Sequence, residues 1–108
     1  MDGKCTFCAI LEGKAPADFV FQDETLAVIR DIRQQAPVHL LVIPRRHIRS
    51  VNDLRDEDQE IVAKLILTAR DMARKQGIAR SGYQLGFHVE QGGGQVIFHL
   101  HLHLMGGW

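Results

Sequence analysis

Charge of one sign is missing from this chain: thirteen basic and thirteen acidic residues cancel, and neither kind is blocked into a tail. Long-range steering toward DNA, RNA or an anionic membrane has no support, so a charged ligand has to be held by local geometry. Long apolar runs are missing too, since none approaches the ~20 residues that span a bilayer. There is no internal repeat, low-complexity stretch or linker. The opening residues, Met1-Asp2-Gly3-Lys4-Cys5, lack the apolar stretch of a signal peptide. Together these absences set the expectation of a cytoplasmic chain with no nucleic-acid or membrane partner. Cysteine is scarce: Cys5 and Cys8 are the two present, and in a reducing compartment they are not expected to form a structural disulfide.

What is there is ordinary globular material. With 108 residues, 45% hydrophobic and 24% charged, the chain can bury one core, and a single domain over residues 1–108 is expected. A partner subunit would add buried surface, so a homodimer is expected on the same ground.

Residues 5–12 read as a short helical turn bearing Phe7, Ile10 and Leu11, closed by Gly13 and broken by Pro16. Residues 19–22 form a short strand, and residues 25–31 its hairpin partner across a turn at Asp23-Glu24. After a polar loop at residues 33–37, the apolar run 38–43 is too short for a helix and reads as a buried strand ended by Pro44. One long helix follows. Asp56, Glu57 and Asp58 supply negative charge to its first turn, and Ile61, Leu65, Ala69, Met72 and Ala73 make one apolar face. Arg70, Arg74 and Lys75 sit near its end, with Gly77 as the cap. Residues 83–90 and 96–105 read as two further strands around a loop at Gly92-Gly93-Gly94. The order implies an α+β fold with a sheet of about five mainly antiparallel strands, one short N-terminal helix and one long helix.

The six histidines, at 39, 47, 88, 99, 101 and 103, fall in expected strands or at their ends. Side chains alternate along a strand, so His99, His101 and His103 share one face and Phe98, Leu100, Leu102 and Leu104 the other. The leucine face belongs to the core, and the histidine face to a cleft or polar site. Two chemistries suit it. Imidazole is a common zinc ligand, but His99 and His103 stand about 13 Å apart at the backbone, so all three cannot share one ion without a severe bend. Phosphoryl or nucleotidyl transfer is the other: a neutral imidazole attacks phosphorus, its neighbours stabilise the phosphate oxygens and protonate the leaving group, and the glycine loop permits close backbone approach.

The sequence closely resembles the histidine triad (HIT) family, specifically its nucleotide-binding, purine nucleoside phosphoramidase branch. The matching segments are Cys5-Thr6-Phe7-Cys8 with Gly13 and Pro16; Asp31-Ile32 with Gln35-Ala36-Pro37; and His39-Leu40-Leu41-Val42-Ile43-Pro44 with His47. The last are Gly93-Gly94-Gln95 and His99-Leu100-His101-Leu102-His103-Leu104-Met105. The resemblance implies a homodimer with a continuous sheet and a pocket for a purine nucleoside monophosphate. It implies cleavage of a P–N or P–O bond at the α-phosphate, with His101 as nucleophile through a nucleotidyl-histidine. His103 would contact phosphate and leaving group, and His39 would lie behind His101 and tune its protonation. Asp31 would hold the ribose hydroxyls, and Phe7, Ile10, Ile29 and Ile32 would clasp the base. His88, Gln95 and Val96 complete the implied nucleotide contacts, with two departures. The family usually has asparagine in place of His88, and serine or threonine in place of Val96, whose side chain cannot donate a hydrogen bond.

A C-x-x-C pair alone is ambiguous between metal, redox and two thiols packed as small hydrophobes, although the βαβ context of a redox pair is absent. Some relatives bind zinc with such a pair, the histidine after the I-P-x-x-H segment and the first histidine of the triad. By that resemblance Cys5, Cys8, His47 and His99 would hold a structural zinc. Three other functions remain open at this point: hydrolysis of a dinucleoside polyphosphate, nucleotide-binding regulation with little turnover, and a hydrolase built on an open zinc.

Overall fold

The computed structural model describes residues 5–108; the expectation about a signal peptide falls partly on Met1 to Lys4, outside the described residues. The elements are α1 (Thr6–Leu11), β1 (Phe19–Gln22), β2 (Leu26–Arg30), β3 (Val38–Pro44), α2 (Gln59–Lys75), β4 (Tyr83–Gly86) and β5 (Leu102–Gly106). The strands form one five-stranded sheet in the order β1-β2-β3-β5-β4, every pairing antiparallel. The expected α+β architecture is the one observed.

The sheet is covered on both faces, which explains why β2 and β3 read as nearly unbroken apolar runs. Leu26, Val28, Leu40 and Val42 point to one side and meet Leu65, Ala69, Met72 and Ala73 of α2. The alternate residues Ile29, Leu41 and Ile43 point to the other side and meet Phe7 and Ile10 of α1. Fully burying one such leucine or isoleucine stabilises the fold by about 1.5–3 kcal/mol. β3 contributes to both cores at once and sits in the middle of the sheet.

The helix is built as its sequence implies, with one refinement. Asp56–Asp58 form a separate 3₁₀ turn ahead of α2. There the buried Asp58 carboxylate accepts the Arg55 amide at 2.8 Å and the Arg46 guanidinium at 2.6 Å. Gly77, at φ +74°, takes the left-handed position just past the helix, where a side chain would be strained.

Two strand boundaries are corrected. β4 stops at Gly86 rather than 90, and the ladder of β5 begins at Leu102 rather than 96. Between them the chain turns through Glu90, at φ +60°, a 3₁₀ turn at Gln91–Gly93, and Gly94 at φ +88°. The Leu100 amide bonds to the Ile48 carbonyl at 2.6 Å instead of joining a strand ladder. Among the described residues no helix is long and apolar enough to cross a membrane.

Candidate active site and metal centre

β5 lies between β3 and β4, and its register places the candidate chemistry. Leu41 stands opposite His103 and Leu40 opposite Leu104. Cross-strand partners share a face, so His103 looks to the α1 side and Leu104 to the α2 side. On its other flank His103 is paired with Gly86, which brings no side chain. His101 and His99 follow on the α1 side although they precede the ladder. The Phe7 ring meets both edge-on, at 5.0 and 5.8 Å between centroids. Leu100, Leu102 and Leu104 complete the core beneath α2. The division of faces expected from the alternation is therefore present from His99 to Leu104, whereas Phe98, expected with the leucines, is exposed and lies under the Arg49 guanidinium at 4.5 Å from its ring centroid.

His101 Nδ1 lies 2.7 Å from the carbonyl oxygen of His99. A carbonyl can only accept, so Nδ1 carries the ring proton and Nε2 keeps its lone pair. Burial pushes the ring below the ordinary imidazole range; the carbonyl bond opposes this, and His88 adds to it. A neutral ring with its lone pair on Nε2 is what nucleophilic attack requires.

His39, His103 and Asp31 form a second group beside it. His39 Nε2 is 3.0 Å from His103 Nδ1 and 3.3 Å from Asp31 Oδ2. The Gln35 amide donates to His39 Nδ1 at 3.2 Å. Asp31 also accepts the Arg33 amide at 2.9 Å. Burial, then the neighbouring His101, His88 and His39, push His103 down to about 4. His39 is lowered by burial as well, with Asp31 pulling the other way. His39 was expected behind His101, but the polar contacts of its ring run instead to His103, Asp31 and Gln35. Exposed His88 stacks on His103 with centroids 4.6 Å apart.

On the far side of Phe7, Cys5, Cys8, His47 and His99 converge, with one ligand atom from each within 4.8 Å of the others. Cys5 Sγ and Cys8 Sγ lie 3.3 and 3.6 Å from His99 Nδ1. His47 Nδ1 lies 3.3 Å from Cys8 Sγ and 3.2 Å from His99 Nδ1. The edges of a tetrahedron of sulfur and nitrogen ligands around zinc are about 3.3–3.8 Å, so this set is of the right size. The tautomer fits as well: His99 Nε2 donates to the Pro44 carbonyl at 2.8 Å, leaving the Nδ1 lone pair for a metal. Burial, then the bond and charge of Cys5, raise Cys8 to about 11, and a divalent cation would reverse that direction. These four residues could hold a metal ion.

Residues 4–107 match the family model described as scavenger mRNA decapping enzyme C-term binding. The chain is 40% identical over 101 residues to the purine nucleoside phosphoramidase of Escherichia coli (strain K12), covering 94% of this chain and 85% of that one. It superposes at a TM-score of 0.96 on a HIT family hydrolase from Legionella pneumophila Philadelphia 1, with 47% identity over 97% of this chain and 94% of that one. The chain belongs to the histidine triad (HIT) family. A Zn-bound histidine triad family protein from Mycobacterium smegmatis is a further structural relative of this HIT chain, with a TM-score of 0.82 and 33% identity over 94% of this chain and 73% of that one.

The remaining expected site residues of this HIT chain fall into two groups. Phe7, Ile10 and Ile29 are buried in the α1-side core, at 2%, 8% and 4% exposure, so they lie under the surface rather than on a rim. Ile32 and Val96 are open to solvent, at 93% and 82%. Gln95 was expected among the nucleotide contacts, but both protons of its amide go to backbone carbonyls, Arg49 at 2.8 Å and Ile97 at 3.1 Å. Its Oε1 accepts the Glu90 amide at 2.8 Å. Gln95 therefore braces the loop. Sequence reasoning missed the companions of that brace: Arg49 holds the Glu90 carboxylate with bonds of 2.6 and 2.7 Å, and Ser50 adds another at 2.7 Å. A non-glycine residue at positive φ leaves no mark in a sequence, and these contacts are what keep Glu90 there.

Proposed function

We propose that this chain hydrolyses purine nucleoside 5′-phosphoramidates or closely related substrates, breaking the P–N (or P–O) bond at the α-phosphate. The observation that carries the reading is the bond from His101 Nδ1–H to the His99 carbonyl, which leaves the lone pair of a neutral, half-buried imidazole on Nε2. Nε2 attacks the α-phosphorus, the electron pair of the broken bond goes to the leaving nitrogen, and that nitrogen takes a proton. Water then attacks the nucleotidyl-histidine, releasing the nucleoside monophosphate and restoring the ring. His103 serves phosphate and leaving group, Asp31 accepts from the ribose hydroxyls, and the solvent-open Ile32 supplies an apolar contact for the base, while Phe7, Ile10 and Ile29 remain part of the α1-side core. The name of the Escherichia coli relative supports the substrate class.

Cys5, Cys8, His47 and His99 hold a zinc ion in this reading; four protein ligands close the shell, so the ion is structural. It pins the N-terminal turn to the segment that leads into β5. We further propose a cytoplasmic homodimer joined at the open edge of β4. That strand is regular and exposes Leu85, and Ile66 and Leu67 of α2 are exposed as well.

The test is AMP release from adenosine 5′-phosphoramidate, with His101→Ala as control. Turnover by the native chain and a loss of at least about a thousandfold in the variant are expected. Full turnover by His101→Ala would overturn the mechanism. Binding of AMP without release would move the function to polyphosphate substrates or to nucleotide-dependent regulation.

A further inference from the structure

A neutral imidazole has one N–H, so the position of its proton follows from what faces each nitrogen. His39 is the ring that decides. The Gln35 N–H points at His39 Nδ1 from 3.2 Å, and a proton on Nδ1 would set two donors against each other. The ring proton therefore sits on Nε2, 3.0 Å from His103 Nδ1 and 3.3 Å from Asp31 Oδ2. His103 Nδ1 faces that N–H and must be the lone pair, which puts the proton of His103 on Nε2. That nitrogen is buried and has no hydrogen-bond partner among the described residues. Its ring is flanked by those of His101 at 4.9 Å and His88 at 4.6 Å.

We infer that the backbone amide of Gln35, acting through His39, locks His103 as a neutral N–H donor, so that a ligand must bring an acceptor atom to His103 Nε2. Gln35 and His39 are positioning residues here. Such a lock needs no side chain at position 35, which is exposed. It keeps two adjacent rings in opposite states: His101 presents a lone pair to phosphorus, while His103 presents a proton to an oxygen or nitrogen of the substrate. The unpartnered donor is left to a bound ligand, since buried N–H groups otherwise find acceptors.

The same logic separates the two clusters among the described residues that are small enough to hold a metal. At His99 the second ring nitrogen donates to a carbonyl, as a metal-bound histidine requires. At His39 the second nitrogen receives a donor, so the Nε2 that would face an ion already carries the proton. Asp31, His39 and His103 are a proton-ordering group and not a second metal site.

The inference deepens the proposed function at the same site, but its main test needs no substrate. In the full chain labelled with ¹⁵N-histidine, two-bond ¹H–¹⁵N spectra at about pH 8, above the ordinary imidazole range, report each ring's tautomer. Nε2–H forms of His39 and His103 and an Nδ1–H form of His101 are expected. Gln35→Pro removes the amide proton and should leave His39 and His103 as tautomer mixtures, whereas Gln35→Ala should match the native spectrum. On adenosine 5′-phosphoramidate, Gln35→Pro should lose about tenfold or more in kcat with little change in KM. An Nδ1–H His39 in the native chain overturns the inference. So does a folded Gln35→Pro whose His103 tautomer is unchanged; if that variant does not fold, the native spectrum decides. An inactive chain with the expected spectrum refutes the phosphoramidate reading and leaves the lock standing.

Discussion

At the scale of single residues, the site is a set of imidazoles kept uncharged by burial, and this links it to stability. His103 is pushed down to about 4, and His39 and His101 are lowered in the same direction, in each case chiefly by burial. In the unfolded chain these rings take up protons near pH 6.5. Between about 6.5 and 4 the unfolded state therefore holds more protons than the folded one, and stability falls as the pH drops through that window. The stabilising difference is fully present above it. Urea midpoints measured across the range should decline toward acid, and His103→Asn should flatten the slope. An unchanged slope in that variant would mean that His103 is not held neutral by the fold.

At the scale of elements, the sequence revealed more about faces than about pairing. Histidines and leucines alternate through residues 99–104, and the two sets do lie on opposite sides, although the ladder starts only at Leu102. Alternation reports extended backbone with two environments, and the bond between the Leu100 amide and the Ile48 carbonyl provides the second without a neighbouring strand. The four candidate metal ligands came from the family resemblance, since the C-x-x-C pair alone was ambiguous, and the fold brings all four together. The placement of His39 and the roles of Gln35, Gln95 and Glu90 were not legible, because they depend on backbone donors and acceptors that every residue carries. The candidate metal cluster bears on α1, whose six residues are too few to be stable alone. Cys5 caps it by accepting the Cys8 amide at 3.3 Å, and the cluster ties it to His47 and to His99 in the segment that leads into β5. Chelation or Cys8→Ser should lower the melting temperature by several degrees while the folded fraction keeps the His101 chemistry. A melting curve indifferent to both would leave the cysteines as half-buried, unliganded thiols.

At the scale of the whole molecule, the two sheet edges are treated differently. β1 is distorted by a register shift between Phe19 and Phe21, which discourages a further strand. β4 is regular and carries the exposed Leu85; its partner Leu104 belongs to the α2-side core, so both face α2. If β4 edges join two copies, Leu85→Asp should convert a dimer to a monomer by sedimentation, and a native chain that sediments as a monomer would refute that assembly. The strand order has a consequence for synthesis. β3 must pair with β5, yet α2 and β4 are made between them. Until Leu102–Gly106 has left the ribosome, β3 shows one bare ladder edge and two apolar faces with incomplete cover. Until then the nascent chain carries an unpaired strand edge, which is a hazard for aggregation, and the segment that completes the sheet arrives directly behind His101.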